Sequence, residues 1–153
     1  MVQPYTTGKH FSVTPPAAII DNAAVTTAEI DTLGFDHLTV VMYLGATDIA
    51  LTVAKLQSGD VSGTHADVSG LDFDGDTDID GNTATLPSAT DDNKFFIWDV
   101  DLRGQKRYWD VAATVGDGTS GGFVAIWAVL SRGDETPTTM AERGADQVLR
   151  IPA

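Results

Sequence analysis

The stretch Asp72-Phe73-Asp74-Gly75-Asp76-Thr77-Asp78-Ile79-Asp80-Gly81-Asn82 places carboxylates at alternate positions. Within it Asp76, Asp78, Asp80 and Gly81 reproduce the first half of an EF-hand calcium loop, where carboxylates converge on a hard cation and glycine makes the sharp turn. The second half departs from that pattern. The position of the bidentate carboxylate holds Pro87, and neither flank reads as a helix. The competing reading is a solvated acidic loop whose aspartates favour turns through their own side-chain hydrogen bonds. No metal ligand is assigned.

Gly118-Thr119-Ser120-Gly121-Gly122 matches the letters of the G-x-S-x-G nucleophile elbow, but that motif needs a following helix, and Phe123 to Leu130 reads as a strand. The triad histidine should follow the serine in that fold, whereas His10, His37 and His65 all precede Ser120. Those histidines lie in separate regions without HExxH spacing, and the chain has no cysteine, so the pattern offers no zinc site. Asp99 and Asp101 share a strand face, as in a glycosidase dyad, yet any sheet with one wet face shows such pairs. Arg132-Gly133-Asp134 is an integrin-type tripeptide by letter only. No catalytic or cofactor-binding residue is assigned, and no cofactor is implied.

Composition narrows the class. Nine Lys+Arg against 22 Asp+Glu give a net charge of −13 over 153 residues, which repels nucleic acid phosphate. No stretch approaches the length of an apolar membrane span, and the first ten residues lack the charged and apolar regions of a secretory leader. Folding in a cytoplasm is expected. With 15 glycines, many Thr and Asp, and few helix-period patterns, the chain reads as all-β and turn-rich.

The elements that must position these residues are organised around Phe95 to Leu130, which holds all three tryptophans, Trp98, Trp109 and Trp127. Three apolar segments, Phe95 to Val100, Tyr108 to Val115 and Phe123 to Leu130, separated by turn-rich punctuation, predict antiparallel strands joined by hairpins as a meander. The third is apolar on both parities, so it is covered twice. The second cover is either a further sheet with a loop or another subunit. His37 to Leu44 alternates cleanly, and after a turn at 45–48 the alternation of Ile49, Leu51 and Val53 predicts a partner strand in a hairpin. Residues 1–16 read as an extended N-terminal arm with a short strand at His10 to Val13, and 17–153 as one domain. Short early strands are expected at Ala18 to Ile20, Val25 to Thr27 and Ile30. The interval between Lys55 and Lys94 has nine aspartates and no Lys or Arg, predicting a long irregular excursion with a short strand at His65 to Val68. Lys94, Arg103, Lys106 and Arg107 then form a basic cluster. Thr136 or Thr138 caps a helical turn through Met140 to Arg143, stopped by Gly144, before a last short strand at Val148, Leu149 and Ile151.

The stretches at 44–53, 86–95, 101–108 and 137–145 resemble small structural proteins encoded beside capsid genes in tailed bacteriophages, and the similarity to capsid decoration (cement) proteins runs from about Ala17 onward. The resemblance implies an antiparallel β-sandwich, jelly-roll-like, that docks as a homo-oligomer, dimer or trimer, on the capsid exterior and bridges major capsid protein subunits. No catalytic residues come with it. The implied location is the virion, after assembly in the host cytoplasm, with neither nucleic acid nor membrane as partner. The arm and the cluster of Lys94, Arg103, Lys106 and Arg107 are the expected contacts. The alternative is a calcium-dependent carbohydrate-binding β-sandwich in which Asp76, Asp78 and Asp80 hold the ion and Trp98, Trp109 or Trp127 stacks on sugar. A hydrolase has the least behind it, since Ser120 lacks a base.

Overall fold

Strict alternation along three strands creates the two surfaces that meet in the core. Leu38, Val40, Met42 and Leu44 of β4 (Phe35–Thr47) are fully buried, while His37, Thr39, Val41 and Tyr43 between them face the other way. In β8 (Tyr108–Val115) the inward set is Trp109, Val111, Ala113 and Val115, and in β9 (Gly122–Gly133) it is Val124, Ile126, Ala128 and Leu130. Because successive strand side chains point to opposite faces, each strand contributes every second residue to one core. The computed structural model describes residues 8–149.

Those residues form two antiparallel sheets. The first has the order β1-β9-β4-β7, with β1 at Lys9–Thr14 and β7 at Phe95–Asp101. The second has the order β2-β8-β5-β6, with β2 at Ala23–Ala24, β5 at Leu51–Val61 and β6 at Thr64–Asp72. The two-residue β3 (Ile30–Asp31) also pairs with β8, so β2 and β3 act as one interrupted edge strand. The all-β sandwich expected from the sequence is the fold observed.

Three local expectations are corrected. The segments at 95–101, 108–115 and 122–133 are strands, but they do not form a meander: β7 and β9 both flank β4, while β8 lies in the opposite sheet. Nor do β4 and β5 form a hairpin. Residues 48–50 carry the chain from one sheet to the other, so the apolar faces of β4 and β5 meet across the core. That corner is fixed by the Thr47 amide donating to Asp92 Oδ1 at 2.8 Å and the Leu51 amide donating to the Pro87 carbonyl at 2.9 Å. Finally, Val148 and Leu149 are not in a strand, and Ile151 lies outside the described residues.

Smaller differences follow from pairing as well. Of the expected arm, Lys9–Thr14 is a strand hydrogen-bonded to β9, and residues 1–7 lie outside the described residues. Ile20 makes only an isolated bridge to Gly122, and the strand paired with β8 is Ala23–Ala24, with the Val25 amide just beyond it donating to the Ala113 carbonyl at 2.9 Å. The strand through His65 extends to Asp72, leaving 73–94 as the irregular excursion. The C-terminal turn forms as the single turn expected, but Thr139 caps it in place of Thr136 or Thr138. Thr139 Oγ1 accepts from the Glu142 amide at 3.2 Å while Glu142 Oε2 accepts from the Thr139 amide at 3.0 Å, a reciprocal capping box. Gly144, at φ +66°, ends it, and the turn's Arg143 carbonyl accepts from the His10 amide at 2.8 Å, covering the outer edge of β1.

Candidate functional site

The doubly apolar character of β9 is explained by the outer face of the first sheet. Its inner residues fill the core; Phe123, Ala125, Trp127 and Val129 point outward, where no second sheet lies among the described residues. Register sets their neighbours. Tyr43 stands between Ala125 and Phe95, and Val41 between Trp127 and Ile97. The Tyr43 and Phe95 rings lie 4.7 Å apart, and Phe95 meets Trp127 edge-on at 6.3 Å. Phe95 remains 59% exposed, Ile97 53% and Phe123 44%. This contiguous aromatic and aliphatic patch is the candidate site, because leaving it in water forgoes the free energy of burial.

At the other end of the same face the register builds a polar cluster. Ser131 Oγ lies 3.2 Å from His37 Nδ1, and His37 Nε2 lies 2.8 Å from Asp99 Oδ1. The residue types are those of a hydrolytic triad, and sequence reasoning missed them. Ser131 and His37 are 94 residues apart, with no motif linking them. Only the pairing of β4 with β9 and β7 brings them together. A hydrolase also needs N–H donors aimed at a developing oxyanion. The three side chains link β9, β4 and β7 across the outer face of the sheet.

The residues singled out in the sequence are dispersed. Asp76 Oδ2 accepts from the Asp72 amide at 2.8 Å, and Asp78 Oδ1 accepts from the amides of Asp80 at 2.9 Å and Asn82 at 2.8 Å. These are turn-forming bonds. Among the described residues no three His, Asp or Glu side chains converge as a metal site requires. Ser120 sits in the crossover loop at 116–121, its amide donating to Asp48 Oδ2 at 2.8 Å. Asp99 faces His37, whereas Asp101 pairs with Arg103, so the two aspartates hold separate partners. His10 is exposed on β1, and His65 Nε2 lies 2.6 Å from Glu29 Oε2. Asp134 of the Arg132-Gly133-Asp134 tripeptide donates its amide to the Gly34 carbonyl at 2.9 Å, tying the tripeptide to the body of the sheet.

The tryptophans divide. Trp98 and Trp109 are core residues whose indole N–H groups donate to the Leu71 carbonyl at 3.0 Å and the Lys106 carbonyl at 2.9 Å, leaving only Trp127 on an accessible face. The basic cluster divides too. Lys94 and Arg103 flank opposite ends of β7, roughly 24 Å of strand apart. Lys94 pairs with Asp91 at 2.7 Å and Arg107 with Asp31 at 2.7 Å, and Arg103 clasps Asp101. Lys94, followed by the Ser88 amide and hydroxyl, holds the Asp91 carboxyl down at about 2. Arg107 likewise lowers Asp31, and Arg103 holds Asp101 well below the usual carboxylate range.

A cleft of about 520 Å³ opens between the sheets beside β1 and β2, walled by Val13, Ala17, Ile19, Ile20, Ala24 and Val124. Among the described residues no ionisable side chain lines it.

No family model matches the sequence, and no curated protein matches it. Among solved structures, the crystal structure of the SPBc2 prophage-derived protein YomS is similar, with 18% identity, a TM-score of 0.49, and coverage of 81% of this chain and 93% of that chain. The likeness is to a prophage-derived protein and transfers no role to this one.

Proposed function

We propose that this protein is a non-enzymatic structural component of a phage virion that binds the outside of the capsid as a homo-oligomer and bridges major capsid protein subunits. The observation that carries the reading is the outer face of the first sheet, where Tyr43, Phe95, Ile97 and Trp127 form one apolar surface on an otherwise acidic body. The resemblance of the sequence to capsid decoration proteins supplies the partner. Burying such a face across a joint between capsid subunits opposes their separation, and many copies add avidity. Ionisable side chains are engaged locally: the basic residues at 94, 103 and 107 with aspartates, and Asp48, Asp76 and Asp78 with backbone amides.

Adding purified protein to capsids stripped of it tests the reading. Saturable binding that raises the temperature of shell disruption is expected. A protein that never adds to stripped shells overturns it.

A further inference from the structure

The bonds that bracket the β4–β7 ladder reveal which way each peptide of β7 points. The Leu44 amide donates to the Lys94 carbonyl at 3.1 Å, and the Leu102 amide donates to the Asp36 carbonyl at 2.9 Å. Between these bonds the register is unbroken from Tyr43↔Phe95 to His37↔Asp101. In an antiparallel ladder the bonded pairs alternate, so Phe96, Trp98 and Val100 bond to β4, whereas the N–H and C=O groups of Phe95, Ile97, Asp99 and Asp101 point away from the sheet. Among the described residues β7 pairs with β4 alone.

The edge formed by β2 and β3 is short and interrupted, and the β1 and β6 edges are guarded. The Arg143 and Ala28 backbones cover β1 through His10 and Val13. β6 breaks its register twice against β5 and carries polar and acidic side chains such as Asp67, devices that blunt an edge. Among the described residues β7 has neither a bulge nor a cover, and its Phe95 and Ile97 side chains are exposed beside the open peptides. An unguarded, flat, apolar edge is a template for another strand.

We propose that the free edge of β7 pairs antiparallel with β7 of a second copy of this chain, joining two first sheets into one across a twofold axis near Trp98. Self-pairing fits the charge. Lys94 precedes the strand while Asp99 and Asp101 occupy its far end, so antiparallel apposition sets the cation of each copy beside the acidic end of the other. About eight backbone hydrogen bonds would form, two for each outward-facing pair. A strand edge roughly 24 Å long and about 10 Å thick is far smaller than the ~800 Å² per partner of a stable interface, so the dimer is reversible and concentration-dependent. The pairing also sets the two outer faces on one side of a continuous sheet, and it specifies the oligomer of the functional reading without depending on the capsid.

Sedimentation equilibrium over a dilution series tests it, comparing the natural chain with Ile97→Pro. Proline removes only an outward N–H, which an edge strand tolerates. The natural chain is expected to reach twice the chain mass at high concentration, and Ile97→Pro to stay at the single-chain mass with an unchanged β-sheet circular dichroism spectrum. Should Ile97→Pro misfold, Ile97→Lys decides by the same readout, since it keeps the ladder and sets a charge at the seam. A natural chain that stays monomeric at every concentration, one that sediments as a trimer, or a folded variant that still doubles its mass overturns the proposal. A monomer that binds stripped capsids only when Ile97 is intact assigns the edge to a capsid strand, also against self-pairing. A dimer that ignores capsids leaves self-pairing standing and removes the capsid reading.

Discussion

The Asp48 carboxylate closes the crossover loop by accepting the Gly121 amide on Oδ1 at 2.9 Å, and its second oxygen takes the amides of Ser120 at 2.8 Å and Thr119 at 3.1 Å. One side chain at the β4 corner thereby fixes the loop that returns the chain from β8 to β9. Charge-assisted bonds of this kind each contribute more than neutral ones. Asp48→Ala is expected to lower stability by about 2 kcal/mol and Asp48→Asn, which keeps one acceptor, by about half as much. Urea unfolding of the three proteins measures both, and equal stability for Asp48→Ala and the natural chain contradicts the assignment.

Acid should loosen the joint at 88–94. The Asp91 carboxyl titrates at about 2 against an ordinary 3.8, chiefly because of Lys94. A carboxylate depressed by folding stabilises the protein fully above its unfolded value, and that contribution disappears as pH falls from 3.8 toward about 2. Lys94→Met is expected to raise the Asp91 pKa toward 3.8, read directly by carboxyl chemical shifts across the titration. An unmoved midpoint would show that the Ser88 bonds alone set it.

Trp109 anchors the second sheet. It is fully buried, and its indole N–H donates to the Lys106 carbonyl at 2.9 Å. Trp109→Phe removes that bond and leaves space where the larger ring was, at a cost of about 1–3 kcal/mol. The loss appears as a lower denaturation midpoint with an unchanged slope. A variant at the natural midpoint would mean the indole is not packed as described.

The aromatic face makes the opposite prediction. Phe95 and Tyr43 project from an exposed surface, so Phe95→Ser and Tyr43→Ser should each change stability by no more than about 1 kcal/mol. Capsid binding by the double variant should fall at least tenfold. Retained binding with retained fold would move the docking surface elsewhere.

Alternation in the sequence determined where the strands lie and which side chains each one buries: Leu38, Val40, Met42 and Leu44 face inward because a period of two leaves no other arrangement beside a core. The turn through Met140 to Arg143 and its stop at Gly144 were legible because they are set within a few residues, although the cap is Thr139 and not Thr136 or Thr138. Strand partners were not. Alternation specifies a face and is silent about which neighbour supplies the hydrogen bonds, so adjacent segments such as β4 and β5, which read as a hairpin, are parted by a corner at 48–50 into different sheets. The candidate site belongs to that second kind of information. Phe95, Tyr43 and Trp127 come together, and so do Ser131, His37 and Asp99, because β4 lies between β7 and β9. Tertiary structure alone decides that, since the energy of pairing distant strands depends on the whole core they enclose.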